Sequence, residues 1–231
     1  MEIKLTEGKK ELFAVTHPFF KGEGYRFQSK RPVLYRKEFE NFYVQLYLQF
    51  AIKLGNHLSG PFRISFKEVE KIILEIGIPT NSFEHIKKGD NILLTIHDIH
   101  AKDYVDAITK LNFKKLDSFR QWGHAIVDYA QGPGKAFINT YSYLPNVLKE
   151  MDRLEAEGKN TNEILVGLAD RRFRGLIISK LCSDPNFEEK VASRDEVFYK
   201  VPQLKDWIPY YNKLKERLKT IEPLYPYYKN V

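Results

Sequence analysis

One stretch of the chain, residues 62–79, limits the possible folds most, because it carries a start signal and a stop signal for the same helix. Ser65 and Glu68 have the spacing of a capping box, in which a hydroxyl and a carboxylate satisfy backbone amides at a helix start. Gly77 then supplies a stop, since glycine readily adopts the conformation that ends a helix. The apolar residues between these signals recur every three or four positions: Val69, Ile72, Ile73 and Ile76. The pattern predicts a short strand at 62–64 followed by an amphipathic helix.

The helical period of three or four residues and the two-residue alternation of strands assign the rest of the chain. The strand-like stretches are 1–36, 91–97, 119–129, 137–144 and 188–201. The helical stretches are 37–57, 80–88, 103–111, 145–158, 164–169, 170–182 and 210–221. A turn at 131–135 joins two of the strands into a hairpin.

Helix, helix and hairpin in this order describe a winged helix, in which one helix enters a groove of DNA and the hairpin contacts the backbone. Because the order occurs twice, the sequence predicts an α+β protein, predominantly helical. It would have two helix-turn-helix or winged-helix-like units, with an intervening helix and β-hairpin. Residues 1–144 would form the first unit, with its winged-helix-like part at 37–98. Residues 145–231 would form the second, with a closing helix.

Composition excludes several classes of protein. The chain has 231 residues, 43% of them apolar, so it can bury a core, and no run approaches the length of a membrane span. Cys182 is the only cysteine, so no disulfide forms within the chain, and its place in an apolar pattern predicts a buried, inert thiol. Charges near the N-terminus leave no apolar stretch for a signal peptide. We therefore expect a soluble, cytoplasmic protein that needs no cofactor.

Charge is concentrated in one segment, Lys21–Lys37. Six of its seventeen residues are basic and only Glu23 is acidic, so it carries +5 of the net +7 of the chain. The basic residues are Lys21, Arg26, Lys30, Arg31, Arg36 and Lys37. Tyr25, Phe27 and Tyr35 alternate with them, a pattern typical of surfaces that neutralise phosphates and stack on bases. The alternative is an exposed strand pair whose rings enter the core while its cations face solvent.

A second basic group lies in the helix at 170–182. Arg171, Arg172, Arg174 and Lys180 avoid the apolar stripe of that helix, so they are expected to face outward as a recognition helix would. A single helix at 164–181 with solvated arginines fits the pattern equally well. The matching wing, Lys190–Lys200, is nearly neutral, and the corresponding helix of the first unit, 81–88, has few cations.

A catalytic function would need residues other than these cations, and one cluster of histidines and an aspartate could supply them. His97, His100 and Asp103 lie where a strand meets a helix, and His124 could join them to hold a divalent metal. The alternative is that these residues serve the start of the helix as caps. No spacing matches a zinc or nuclease signature.

The partner predicted from these patterns is nucleic acid, most simply duplex DNA. The expected role is non-enzymatic, in replication initiation, regulation or genome handling, with a homodimer possible and no membrane involved. Two alternatives stay open. One is a metal-dependent nuclease or other nucleic-acid enzyme. The other is a protein-interaction module whose interface is formed by C-terminal tyrosines: Tyr210, Tyr211, Tyr225, Tyr227 and Tyr228.

Overall fold

Helices form most of the molecule, and an antiparallel sheet accompanies them, so the expected α+β class is confirmed. The computed structural model describes residues 4–30, 32–51, 56–79 and 93–230. These residues belong to two compact units. Unit 1 comprises residues 1–64 and 98–140, and unit 2 comprises residues 65–97 and 141–231. The sequence places residues 1–144 in one unit, whereas in the structure the chain leaves unit 1 at residue 64 and returns at residue 98.

The described part of unit 1 consists of four helices and a sheet along which the chain folds back and forth. Its helices are α1 (Leu5–Gly22), α3 (Lys102–Thr109) and α4 (Leu116–Gln131), followed by most of α5 (Pro133–Tyr141). Its strands are β1 (Arg26–Gln28), β2 (Val33–Glu38), β3 (Phe42–Ala51), β4 (Asn56–Ser59) and the start of β5 (Arg63–Phe66). β1, β2 and β3 are antiparallel neighbours, while β4 and β5 both lie beside β3.

The core of unit 1 forms where α1 packs against α4 and the sheet. Two glycines let the helices approach closely. A Cβ at Gly8 would lie 2.6 Å from the ring of Phe119, and one at Gly123 would lie 2.9 Å from Val15. On the sheet side of α1, the ring of Phe20 stacks on Tyr35 at 4.1 Å.

Unit 2 consists mainly of helices. They are α2 (Lys67–Ile76), α6 (Leu144–Ala156), α7 (Asp170–Leu181), α8 (Phe187–Lys200) and α9 (Ile208–Leu218). The short strand β6 (Ile96–His97) forms an antiparallel bridge in which Ile96 lies opposite Leu165. Aromatic side chains fill the interior, where Phe198 of α8 stacks on Tyr211 of α9 at 4.4 Å.

Several predicted helices are confirmed: α2, α3, α6, α7 and α9 lie close to their expected positions. Gly77 ends α2 with φ +85°, as expected, but Phe66 occupies the N-cap position and no side chain caps the helix. The expected helix at 80–88 lies outside the described residues.

Five other assignments are wrong. Residues 164–169 form turns and the bridge to Ile96 instead of a helix, so the single helix at 164–181 is wrong as well. Residues 5–22 form α1 instead of strands, and residues 42–51 form β3 instead of a helix. The expected hairpin at 119–144 is helical, in α4 and α5, because Phe119, Trp122 and Ile126 follow a helical period and are buried. The expected wing, Lys190–Lys200, belongs to α8, so no wing hairpin follows α7.

Candidate nucleic-acid interface

The sheet of unit 1 has two chemically different faces, because successive side chains of a strand point to opposite sides. Tyr35 lies on the face covered by α1, where its hydroxyl is 2.6 Å from Thr16 Oγ1. Its neighbour Arg36 therefore lies on the opposite face. The strand register places Arg26 and Gln45 directly beside Arg36, one on each side.

This Arg26–Arg36–Gln45 row crosses three strands. Arg26 is exposed, Arg36 is half-buried and Gln45 is 1% exposed, so the row runs from open surface toward the interior. Like charges directly opposite each other on a sheet are unfavourable by about 0.2–1 kcal/mol. Among the described residues neither arginine has a carboxylate partner that would offset their repulsion.

Gln45 adds an unmet hydrogen-bond donor to the row. Its Nε2 is buried and has no hydrogen-bond partner among the described residues. Leaving a buried polar group unsatisfied costs about 1–3 kcal/mol, and most buried polar groups do find partners. The row therefore combines two guanidinium groups near the surface with a buried amide donor that has no acceptor among the described residues.

Tyrosines flank the row on the same face of β3. The guanidinium of Arg36 lies 5.6 Å from the ring centre of Tyr43, and that of Arg63 lies 5.0 Å from the ring centre of Tyr47. Burial raises the pKa of Tyr47, while the charges of Arg63 and Arg36 partly lower it. Arg36 and Arg63 thus both act electrostatically on Tyr47. Glu38 is the acidic residue that alternation places on this face, and it is exposed at the end of β2.

The rings of the basic segment pack away from this face. Tyr25 lies 5.1 Å from Phe20 and 6.0 Å from Phe62, and Phe27 lies 4.4 Å from the ring of His17. Tyr25 is half-buried among these rings, as the strand-pair alternative predicts, whereas Phe27 is 37% exposed. Base stacking by either ring stays a prediction.

The remaining cations of the segment are separate from the row. Lys21 is exposed in the last turn of α1, where the helix dipole favours a cation, and Lys30 is exposed after β1. Lys37 Nζ lies 5.6 Å from the ring centre of Tyr25 and 5.3 Å from that of Phe39. Arg31 lies outside the described residues.

Arg174 does not face outward as the sequence predicts. It is 2% exposed, and its Nε and Nη2 donate to Glu70 Oε1 and Oε2 at 2.8 and 2.7 Å. Nη1 donates to Asp170 and, at 3.1 Å, to the carbonyl of Val166. Thr95 Oγ1 donates to the same Glu70 at 2.7 Å. Because all of these groups lie inside unit 2, Arg174 is a structural ion-pair residue that is not accessible to a DNA groove.

The neighbours of Arg174 on α7 are more accessible. Burial lowers the pKa of Arg171, which Asp170 partly restores, and Arg171 Nε has no hydrogen-bond partner. Burial also lowers the pKa of Arg172, as do the charges of Arg171 and Arg194. Lys180 Nζ lies 5.2 Å from the ring centre of Phe187. These three cations remain candidates for contact with an anion.

The candidate metal ligands do not form a centre. Across residues 4–30, 32–51, 56–79 and 93–230, no three His, Cys, Asp or Glu side chains are grouped closely enough to hold a metal ion. His100 and Asp103 are exposed near the start of α3, and His124 is exposed on α4. His97 lies in β6, where its backbone amide donates to the carbonyl of Ile164 at 3.0 Å.

The tyrosines expected to form a C-terminal interface divide between core and surface. Tyr211 and Tyr227 are buried, whereas Tyr210, Tyr225 and Tyr228 are half-buried.

The two tryptophans differ in their burial. Trp122 is fully buried and donates to Ser59 Oγ at 2.8 Å, while Trp207 is half-buried beside Phe173.

Sequence reasoning missed Gln45, Tyr43 and Tyr47, because it assigned the region around β3 to a helix. It placed Arg63 in a strand but did not single it out as a site residue. One signal could have found the three residues of β3. Between residues 44 and 49, apolar Val44, Leu46 and Leu48 alternate with Gln45, Tyr47 and Gln49. Strict alternation of this kind is typical of a strand with one polar face.

Comparison with protein-family models, curated proteins and solved structures finds no match to this chain. Within the described part of the chain, every helix is too short or too polar to cross a membrane.

Proposed function

We propose that this protein binds nucleic acid without catalysing a reaction, and that it does so through the arginines of the unit 1 sheet. The observation that carries the proposal is the pairing of Arg26 with Arg36 across β1 and β2. Neither arginine has a carboxylate partner among the described residues, and phosphate oxygens supply acceptors of the right charge.

The charge of unit 1 supports the same partner. Its residues include 17 Lys and Arg against 11 Asp and Glu, a net charge of +6, whereas unit 2 has 20 against 19, a net charge of +1. A positive field of this kind steers polyanions toward the surface and releases their counterions on binding. Nearly all of the charge thus belongs to the unit that carries the row.

Duplex DNA is the proposed first target. Arginines contact phosphate in a bidentate manner, and tyrosine hydroxyls and backbone amides add contacts that position a duplex without reading its sequence. Arg171 and Arg172 of α7 are proposed as additional contacts in unit 2. Their guanidinium groups are partly desolvated and have no carboxylate hydrogen-bonded to them in the described residues.

Fluorescence anisotropy with a labelled duplex tests the proposal across a salt series from about 0.05 to 0.2 M. Affinity should fall steeply with salt. Replacing two phosphate contacts, in Arg26→Gln/Arg36→Gln, should lower the slope of log K against log salt by about 2. The matched control is Lys110→Gln/Lys114→Gln, which removes the same charge from exposed positions of unit 1.

Two results would overturn the proposal. One is the absence of duplex binding at the lowest salt concentration. The other is an equal loss of slope in the arginine variant and the lysine control, which would mean that net charge alone determines binding. A single strand of the same sequence that binds more tightly than the duplex would replace duplex DNA as the target.

A further inference from the structure

Unit 1 contains a large cavity at one end of its sheet, with a volume of about 1020 Å³. This volume is at the upper end of the range for small-molecule sites, about 300–1,000 Å³. One wall is apolar and is formed by Leu5, Val33, Leu48, Phe50, Pro61 and Val105. An apolar wall with a few polar groups is typical of a binding pocket for a small molecule.

The charged groups of this cavity have one sign. Its described lining includes the cations Lys9 and Arg63 and no carboxylate. Lys9 Nζ lies 4.3 Å from the ring centre of Phe50, so the ammonium group is held at the apolar wall. The cavity is therefore suited to a ligand that has both an apolar part and a negative charge.

Arg63 is the residue that most requires such a ligand. Burial lowers the pKa of Arg63, while Tyr47, whose ring centre lies 5.0 Å away, raises it. No carboxylate within the described residues forms an ion pair with it. A partly buried cation without a partner is costly, and an anion that forms two parallel hydrogen bonds with the guanidinium offsets that cost.

We propose that this cavity binds an acidic amphiphile, with its carboxylate or phosphate head at Arg63 and its hydrocarbon chain against the apolar wall. This site adjoins the proposed nucleic-acid contact through Tyr47, but neither Arg26 nor Arg36 lines the cavity, so the two proposals are tested by different variants. Failure of one proposal therefore leaves the other standing.

Calorimetric titration with three ten-carbon probes tests the proposal. Decanoate and decyl phosphate carry the two possible heads, and decanol has the same chain without charge. At least one acidic probe should bind ten-fold or more tightly than decanol, and the tighter of the two identifies the head group. In Arg63→Gln that preference should fall at least ten-fold, while Arg63→Lys should retain part of it.

Equal binding of all three probes would overturn the proposal, because it would show that the site recognises the chain alone. Absence of binding by both acidic probes would also overturn it. Lys9→Gln provides a second variant in case Arg63→Gln fails to fold, and it should weaken the acidic probes without affecting decanol. Lys110→Gln, at an exposed residue that does not line the cavity, should bind all three probes as the unaltered protein does.

Discussion

Arg174 and Glu70 form a two-pronged ion pair in unit 2, with Nε and Nη2 each donating to a different carboxylate oxygen. The side chains of Arg174 and Glu70 are nearly inaccessible, at 2% and 6% exposure. Removing one partner of such a pair leaves a buried charge without compensation, which costs about 3–5 kcal/mol. We expect Arg174→Gln to lower the free energy of unfolding by that amount in urea denaturation.

Arg172→Gln is the matched control for Arg174, since Arg172 is on the same helix but has no carboxylate partner in the described structure. Its loss should stay below about 1 kcal/mol, as is usual for a residue without special contacts. Equal losses of unfolding free energy in the two variants would show that any arginine change in α7 destabilises the protein, and that the ion pair is not the cause.

Gly167 precedes α7 and is held against the same ion pair. Its φ is +122°, and a Cβ there would lie 2.7 Å from the Asp170 carboxylate and 2.8 Å from Arg174 Nη1. We expect Gly167→Ala to lose about 1–3 kcal/mol of stability, the usual cost of a strained backbone position. Gly158 also has a positive φ, of +65°, but nothing lies within 4 Å of its Cβ position. Thermal denaturation should therefore show a smaller loss for Gly158→Ala, and an equal loss would contradict the steric argument.

Replacing the buried amide of Gln45 should raise stability without changing binding. Leucine at this position has a similar volume and removes the unsatisfied amide, so Gln45→Leu should raise the free energy of unfolding by about 1 kcal/mol in urea denaturation. The same change should leave duplex binding unaltered, because Gln45 is 1% exposed and its Nε2 is inaccessible to a ligand. Gln49→Leu alters the same face of β3 at an exposed position and should not raise stability. A Gln45→Leu protein that is less stable than the unaltered protein would contradict this account.

His17 should make stability depend on pH below neutrality. Its Nδ1 lies 2.6 Å from the Tyr35 hydroxyl, and burial lowers the pKa of His17 below its ordinary value of 6.5. The folded state then binds fewer protons than the unfolded state. Its contribution is complete above pH 6.5 and is lost as the pH falls through the folded pKa.

The measurement for His17 is the free energy of unfolding between about pH 7 and pH 5, the range in which histidine titrates. The unaltered protein should lose more stability over this range than His17→Gln. His124→Gln, an exposed histidine on α4, should behave as the unaltered protein does. Parallel curves for the unaltered protein and His17→Gln would exclude His17 as the titrating group.

Cys182 should be unreactive until the protein unfolds. It is fully buried, and burial together with the charge of Asp184 raises the pKa of its thiol to about 12, although Lys190 acts in the opposite direction. Because the thiolate is the reactive form, a disulfide reagent at pH 8 should label the unfolded chain rapidly and the native protein hardly at all. Ser183→Cys, at the exposed neighbouring position, should react in both states. Rapid labelling of Cys182 in the native protein would mean that the site opens readily.

The region of β3 shows why sequence patterns predicted some elements and not others. Phe42, Leu46 and Phe50 are four residues apart, and a spacing of four satisfies both the helical period and strand alternation. Pairing with β2 decides between them, and that pairing is a long-range contact that no local pattern reveals. The face carrying Gln45 was hidden by this ambiguity.

Helices with several independent local signals were predicted correctly. In α2 the apolar face and Gly77 agree, and in α6 Pro145 and the helical period agree. The position of Arg174 illustrates the opposite case. Its charge suggested an exposed residue, but the carboxylate that pairs with it, Glu70, is 104 positions away in the chain.

Residues 65–97 of unit 2 separate the two segments of unit 1 along the chain, so unit 1 is synthesised in two parts. A ribosome releases the chain from its amino end, so α1 and β1 to β4 emerge before the segment 98–140 exists. The face of α1 that receives Phe119 therefore stays uncovered while the intervening residues of unit 2 are made. Such temporarily exposed apolar surface is a site for misassembly and for chaperone binding. Stalling the nascent chain at residue 97 should leave it dependent on chaperones, a requirement that ends once α4 has left the exit tunnel.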